Sequence, residues 1–545
     1  AETLDAAPDA AVDAAPDAAP PPTCDGVPGA RVAFADGAGG FQFGDLAADF
    51  TANTLDGPLT LSQHWTGCDS YVFLVYFPDL RQTPQGPWIG DALWDSDPLP
   101  LLTLGAPNTH YVFLSFEPDA EARRARMEAM RSRIALGISV RPAEMTAGWA
   151  ERLHFVTDRL TEVEGSLGAF ASDYLDFMFS PEGLVDLGDR GMAQAPLPFT
   201  FAIDRFQRWD AGGSLSPVVG QPQTWAMAAY FGPFYNHMAA VRARVAAEPA
   251  TEVVLLDERV SDRVFVRTVT LPDAAAMAEV DTLDLDVGVF CPARNPFGCS
   301  EWDRIADVEL CLDGPDCAER REIARWITPY WRRGERRWLI DASPFLALLR
   351  AGGETTFRVE MGPEWERKTE RDARIALRLR TAGDAPRAQG AERAFTGGSF
   401  GADYNTREPF TFTPPADADR VELVLILSGH GQTDGDNCAE WCDHRHAFTV
   451  NGADIPVVRS PQAPGTLRGC ADRAGEGVPP GQWGNWAPGR AYWCPGLPVD
   501  AIRIDVTEHV QPGMENTVTY RGQFGAREPA GGDIALSAYV VWYGQ

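Results

Sequence analysis

Thr282-Leu-Asp-Leu-Asp-Val-Gly-Val289 decides the reading of the larger part of this chain. Its apolar side chains fall on every second residue, the period of a strand with one face in a core. The texture recurs around it. Val264–Thr270, Ala306–Leu312, Thr356–Met361, Ile375–Leu379, Arg420–Leu427 and Ala447–Asn451 are short strand-like runs between Gly, Pro and Asp turns. Helical periodicity is nearly absent beyond residue 251. Short strands over roughly 290 residues predict two antiparallel β-sandwiches. The first is expected over 251–385 and the second over 386–545, with an Ala/Gly/Pro-rich break at 381–392 dividing them.

Residues 28–250 read differently. The apolar runs Tyr71–Phe77 (YVFLVYF), Tyr111–Phe116 (YVFLSF) and Phe199–Ile203 (FTFAI) alternate with helical stretches, one from Ala120 to Ile134 and a long one from Thr224 to Ala247. That alternation predicts an α/β layer. Ahead of it, residues 1–27 are low in complexity: Asp5, Asp9, Asp13 and Asp17 recur among Ala, with Pro8, Pro16 and Pro20–Pro22 interleaved. The prolines forbid a helix, so a disordered, extended tether is expected, of the kind that joins a bacterial lipid anchor to its cargo. The chain starts at Ala1 without Met, as a processed protein would.

Among the 545 residues, 45% are hydrophobic and 23% charged, an ordinary globular balance. The 47 basic residues against 77 acidic ones leave a net charge of −30, which repels phosphate backbones and excludes nucleic acid as a partner. Runs such as Tyr71–Phe77 and Leu423–Leu427 fall far short of the ~20 residues of a membrane helix, so no transmembrane segment is expected. The ten cysteines are even in number, with short spacings at Cys291/Cys299, Cys311/Cys317 and Cys438/Cys442. That pattern reads as disulfides made in an oxidising compartment, hence a secreted or cell-surface protein.

Two motifs carry chemistry. Cys291 to Cys299 is followed by Ser300-Glu-Trp-Asp-Arg304. A closed loop presenting Trp302, Asp303 and Arg304 suits a sugar, the ring stacking on Trp and the charges bonding hydroxyls; the plain alternative is a structural Asp–Arg pair beside a half-buried Trp. The second motif is Gly429-His430-Gly431, then Cys438-Ala-Glu-Trp-Cys442-Asp-His444-Arg-His446. Three readings rank in this order: a tight disulfide presenting Glu440, copper held by His430, His444 and His446, and zinc held by the cysteines and histidines. On a strand, positions 444 and 446 share a face.

Several of these motifs, in one order, resemble the peptide-N-glycosidase F family over about 255–545. They are Cys291 with Cys299–Arg304 (CSEWDR), Ile327–Trp331 (ITPYW), Leu339–Asp341, Ser428–Gly431 (SGHG), Cys438–Cys442 (CAEWC), His446, Asn451, Asn485–Arg490 (NWAPGR) and Trp493–Gly496 (WCPG). The resemblance implies two side-by-side antiparallel jelly rolls with the site in the cleft between them. It also implies a secreted amidase that cuts the bond between an Asn side chain and the first N-acetylglucosamine of an N-glycan. Asp303 then matches the principal carboxylate and Glu440 the essential glutamate. A third acid precedes a tryptophan, so Glu364 before Trp365, or Glu360, matches it. Trp302, Arg304, Trp365, Trp441, Arg490, His430 and His446 are the implied substrate contacts. The bridges Cys291–Cys299, Cys438–Cys442 and Cys470–Cys494 follow the family, while Cys311–Cys317 and Cys24–Cys68 are additional.

In that scheme Asp303 orients and activates water while Glu440 anchors the amide or donates the proton, with no metal and no cofactor. The protein is expected to act as a monomer on glycoproteins or glycopeptides. Copper monooxygenases share the fold, which makes a copper enzyme the alternative, and a non-catalytic glycan-binding surface protein is another. Replacing His444 is expected to be mild in the amidase and lethal in the copper enzyme.

The N-terminal half lies outside that family. Phe43–Phe50 (FGDLAADF), Leu55-Asp56-Gly57, Leu61-Ser62 and Pro196–Asp204 (PLPFTFAID) resemble the thioredoxin-like redoxins. Pro78–Arg81, where a redoxin carries its reactive cysteine, has none, so a redox-dead domain is expected. A protein truncated near Glu252 is expected to keep some activity.

Overall fold

Ser70–Tyr76 and Thr109–Ser115 are buried along their whole length, which explains why they read as unbroken apolar runs: both faces of their sheet are covered. In this computed structural model, described for residues 23–37, 39–76, 82–83, 86–87, 94, 96–178, 199–215, 225–291, 299–383, 385–431, 438–482, 484–525, 527–529 and 531–544, they run parallel to each other. Thr109–Ser115 runs parallel to Leu153–Arg159 as well. Phe199–Ile203 joins Ser70–Tyr76 antiparallel and continues into a hairpin with Trp209–Ser214. At the far edge lie Phe50–Thr54 and Gly57–Thr60. Helices Ala120–Ser139, Ser166–Met178 and Phe231–Ala247 complete this α/β unit. The first starts at Asp119, whose side chain caps the Ala122 N–H at 2.8 Å.

Details differ from the sequence reading. The first helix runs on to Ser139 because no breaker intervenes before Pro142. The expected helix from 224 to 247 is two, Trp225–Ala229 and Phe231–Ala247. The tether does not reach 27: Cys24 is bonded to Cys68, and Thr23 pairs with Ala30, so the chain is pinned from there on. Residues 1–22 and the loop Pro78–Arg81 lie outside the described residues. The sequence alone shows that the N-terminal half holds two cysteines, 24 and 68, and they bond to each other.

Among the described residues beyond 251, every strand pairing is antiparallel. One four-stranded sheet has the order Thr251–Val260, Arg371–Arg380, Thr282–Cys291, Gly334–Asp341; it faces Val264–Asp273, Gly352–Glu360, Ile305–Cys311, Arg320–Ile327. Leu283, Leu285 and Val287 meet Ala306, Val308 and Leu310 in one core. The second pair of sheets is Ala388–Ser399, Asp533–Tyr543, Arg420–His430, Ile502–Asp505 against Phe410–Phe412, Asn516–Phe524, His444–Val450, Ala453–Asp454. Its first strand begins at Ala388, inside the expected 381–392 break.

Arg420–His430 is buried on both faces: Leu423, Leu425 and Leu427 enter their own sandwich core, while Val424 and Ile426 join the first sandwich's core. Where the sandwiches meet, Arg325 pairs with Glu322 at 2.7 Å and donates to Ser428 Oγ at 2.8 Å. All ten cysteines pair, as Cys24–Cys68, Cys291–Cys299, Cys311–Cys317, Cys438–Cys442 and Cys470–Cys494.

Candidate active site

Asp303 and Glu440 come from different sandwiches and meet at one guanidinium. Asp303 leaves the Cys291–Cys299 loop just before strand Ile305–Cys311; the intervening residues 292–298 lie outside the described residues. Glu440 sits on the one-turn helix Cys438–Trp441, which the Cys438–Cys442 bridge closes. The Glu440 carbonyl accepts from Ala491 N at 2.8 Å, and Gly429 N donates to Ala491 O at 3.1 Å. A Cβ at Gly429 would lie 1.9 Å from Ala439 O, so only glycine lets that helix approach the strand.

Arg490 joins the acids. Its Nε lies 3.0 Å from Glu440 Oε1 and its Nη2 3.7 Å from Asp303 Oδ2. The guanidinium is fully buried, held over the rings of Trp441 and Trp493 at 4.3 and 4.9 Å from their centroids. It donates to the carbonyls of Pro488 (3.0 Å) and Asn485. Tyr330 completes the cluster: its hydroxyl donates to Asp303 Oδ2 and accepts from Arg490 Nη2 at 3.4 Å.

The two acids differ electrostatically. Burial pushes Glu440 up to about 7, with Asp303 adding to the rise and Arg490 opposing it. Burial also raises Asp303, against which both Arg490 and the Tyr330 hydroxyl work. One carboxyl is therefore poised to hold a proton near neutrality beside another that has two donors for its charge.

Trp302 is 46% exposed and Trp365 73% exposed, large apolar faces open to solvent beside the acids' loop. Arg304 stacks over Trp365 at 4.7 Å. Neither expected third acid is central here. Glu360 pairs with Arg358 on strand Gly352–Glu360, and Glu364 is exposed. The acid under the Trp302 loop is instead Glu366, which accepts from Ser300 Oγ at 3.2 Å and Trp302 N at 3.3 Å and pairs with Arg263 at 3.1 Å. Tyr330 and Glu366 were not picked out as site residues from the sequence. Tyr330 stood inside the ITPYW motif, and Glu366 directly follows Trp365.

The histidines separate. His430 stacks on Trp493 at 4.9 Å and shares a 2.7 Å hydrogen bond with Ser428 Oγ; burial, with Arg325 and Arg490 nearby, brings it down to about 3. His444 and His446 are fully buried, which removes His446 from the expected substrate contacts. His444 Nε2–H donates to the Ala439 carbonyl at 2.8 Å. His444 Nδ1 therefore accepts from His446 Nε2 at 2.8 Å, and His446 Nδ1 accepts from the Tyr520 hydroxyl at 2.6 Å. Both lone pairs are taken, so this pair does not fit copper. Cys438 and Cys442, joined in a disulfide, have no thiolates to offer zinc.

Residues 401–541 match the family description Peptide-N-glycosidase F, C terminal. The chain is 29% identical over 287 residues to Peptide-N(4)-(N-acetyl-beta-D-glucosaminyl)asparagine amidase F of Elizabethkingia miricola, a stretch covering 50% of this chain and 77% of that protein. Among solved structures, PNGase F from Flavobacterium meningosepticum aligns at 22% identity and TM-score 0.44, over 55% of this chain and 96% of that one. PNGF-II aligns at 11% identity and TM-score 0.42, over 57% and 67%. Fold and site together define a double β-sandwich with an arginine-linked pair of acids where its halves meet. The matched stretches lie in the C-terminal half of the chain, which resembles peptide-N-glycosidase F.

Proposed function

We propose that this protein hydrolyses the amide between an Asn side chain and the first N-acetylglucosamine of N-linked glycans, releasing the glycan and leaving Asp in the peptide. The observation that carries the reading is Arg490 bridging Asp303 and Glu440 beside two exposed tryptophans. Amides resist attack, so water must be oriented and deprotonated while the nitrogen leaves protonated. Asp303, raised by burial but with its charge favoured by Arg490 and the Tyr330 hydroxyl, takes the water proton. Glu440, protonated below about pH 7, bonds the amide and delivers a proton to the departing nitrogen. Trp302 and Trp365 offer rings for the sugar to stack on.

The substrate is a glycoprotein or glycopeptide, taken by a monomer. Three parallel strands bordered by an antiparallel hairpin support a thioredoxin-like reading of the N-terminal unit, and its paired cysteines support a redox-dead one. The five disulfides support an extracellular or cell-surface setting, with residues 1–22 as a tether to a lipid anchor. Incubation with a defined N-glycopeptide tests the activity: free glycan with Asn converted to Asp supports it, and an unchanged glycopeptide refutes it.

A further inference from the structure

The N-terminal unit and the acid pair are linked through a short chain of buried polar contacts. Asp210, on strand Trp209–Ser214, is buried and binds Arg332 twice: Nη2 at 2.7 Å and Nη1 at 3.3 Å. Tyr235, on helix Phe231–Ala247, donates its hydroxyl to the same carboxylate at 2.7 Å. Arg332 is fully buried, and its Nε donates to Pro480 O at 2.9 Å. Arg332 therefore staples the 330–334 turn to the 479–482 loop. Within that loop Gln482 accepts from Tyr330 N at 3.0 Å and donates to the carbonyls of Pro479 and Pro495, both at 2.9 Å. Two residues before Arg332 stands Tyr330, whose hydroxyl holds Asp303.

The packing runs the same way. Tyr330, Trp331, Trp486, Cys470 and Cys494 share one core with Trp225, Phe231 and the sheet residues Val72 and Leu74. At Gly213 a Cβ would lie 2.1 Å from Gly481 O, so the N-terminal hairpin touches the 479–482 loop backbone to backbone. A merely appended domain would have a surface of its own facing the sandwiches. Here the turn that presents Tyr330 is completed by N-terminal side chains.

We propose that the N-terminal unit is part of the catalytic apparatus, with Asp210 a positioning residue that acts through Arg332 and the 330–334 turn to hold Tyr330 on Asp303. The role rests on the amidase reading. A slack turn weakens the Tyr330–Asp303 hydrogen bond. That bond favours the ionised carboxylate, so its loss raises the Asp303 pKa and makes the base harder to deprotonate. The groups facing Asp210 include Arg332, Arg336 and Tyr235, and the Arg332 guanidinium holds its carboxyl below the usual carboxylate range against the effect of burial.

The test uses the full-length protein, with glycan release from a defined N-glycopeptide followed across pH. Asp210→Asn should lower kcat at least about tenfold with KM within about threefold, and move the acid limb of kcat/KM upward by about half a unit or more. Tyr235→Phe keeps the Asp210–Arg332 pair and removes one small contact, so it folds. It should lower kcat about two- to fivefold and move the limb in the same direction. Asp56→Asn, which breaks an exposed pair with Arg131, serves as the control and should match wild type. Folded Asp210→Asn with wild-type kcat and pH profile overturns the proposal. If Asp210→Asn fails to fold, wild-type values in Tyr235→Phe overturn it alone. A wild-type protein that releases no glycan overturns the amidase reading itself, whereas active wild type with indifferent variants overturns only the role of Asp210.

Discussion

Arg490 places its Nε 3.0 Å from Glu440 Oε1, and both side chains are buried. A buried arginine without its acid would be costly, and a buried glutamate without the arginine would stay protonated well above neutrality. Each therefore sets the state of the other, and Asp303 feels the balance through the same guanidinium. Arg490→Lys keeps a charge but loses the planar fork, and should cost at least about tenfold in kcat, measured as initial rates of glycan release.

Glu440 should impose the alkaline limb of the rate profile. Its proton is present below about pH 7 and lost above it, so kcat should fall as pH rises through that value. In Glu440→Gln that limb should vanish while the rate drops about 10²–10⁴-fold. Stability carries the same sign. A carboxyl raised in the folded state binds a proton that the unfolded chain gives up near the ordinary glutamate value of 4.5, so its contribution is present below that pH and lost as pH rises through about 7. Thermal unfolding of wild type against Glu440→Gln between these values checks the direction: wild type should lose stability relative to the variant as pH increases.

How much of this was legible beforehand varies with the kind of physics involved. Leu283, Leu285 and Val287 announced their strand because burial on one face leaves a period of two. Asp303 and Glu440 were legible because each belongs to a short motif closed by a disulfide. Tyr330 was not, because its role depends on Gln482 and Arg332, distant in sequence and brought together by loops without periodicity. His446 looked like a surface ligand because alternation says which residues share a face but not whether that face meets solvent. The shared core around Trp331 and Trp486 was hidden for a related reason: these aromatics stood in the ITPYW and NWAPGR motifs with nothing local to show that they pack against the N-terminal helices.

That shared core changes the expected result of truncation. A protein beginning near Glu252 would leave Tyr330, Trp331 and Trp486 without their packing partners and Arg332 without Asp210. Instead of the partly active fragment anticipated from the sequence, it should aggregate or lose nearly all glycan release. Size-exclusion chromatography and the glycopeptide assay together decide this.

His444 is no mild position either. His444→Ala leaves the Ala439 carbonyl and the His446 Nε2–H unpaired in a fully buried site, which should cost about 2–4 kcal/mol by denaturant unfolding. The residual activity should track the folded fraction and be indifferent to added copper.

Free-thiol titration of denatured, unreduced protein should find essentially no thiol, because all ten cysteines are paired. Removing the Cys291–Cys299 bridge should cost about 2–5 kcal/mol. It should also loosen the segment whose Cys299 carbonyl accepts from Thr369 Oγ1 at 3.1 Å just ahead of Asp303.

Glycan release from a defined N-glycopeptide, measured under nitrogen with EDTA for wild type and Asp303→Asn, tests the two-carboxylate mechanism most directly. Wild type should be fully active under those conditions and Asp303→Asn slower by about 10²–10⁴-fold, the usual loss on removing a general base. Wild-type activity that vanishes with EDTA, or Asp303→Asn activity equal to wild type, would contradict it.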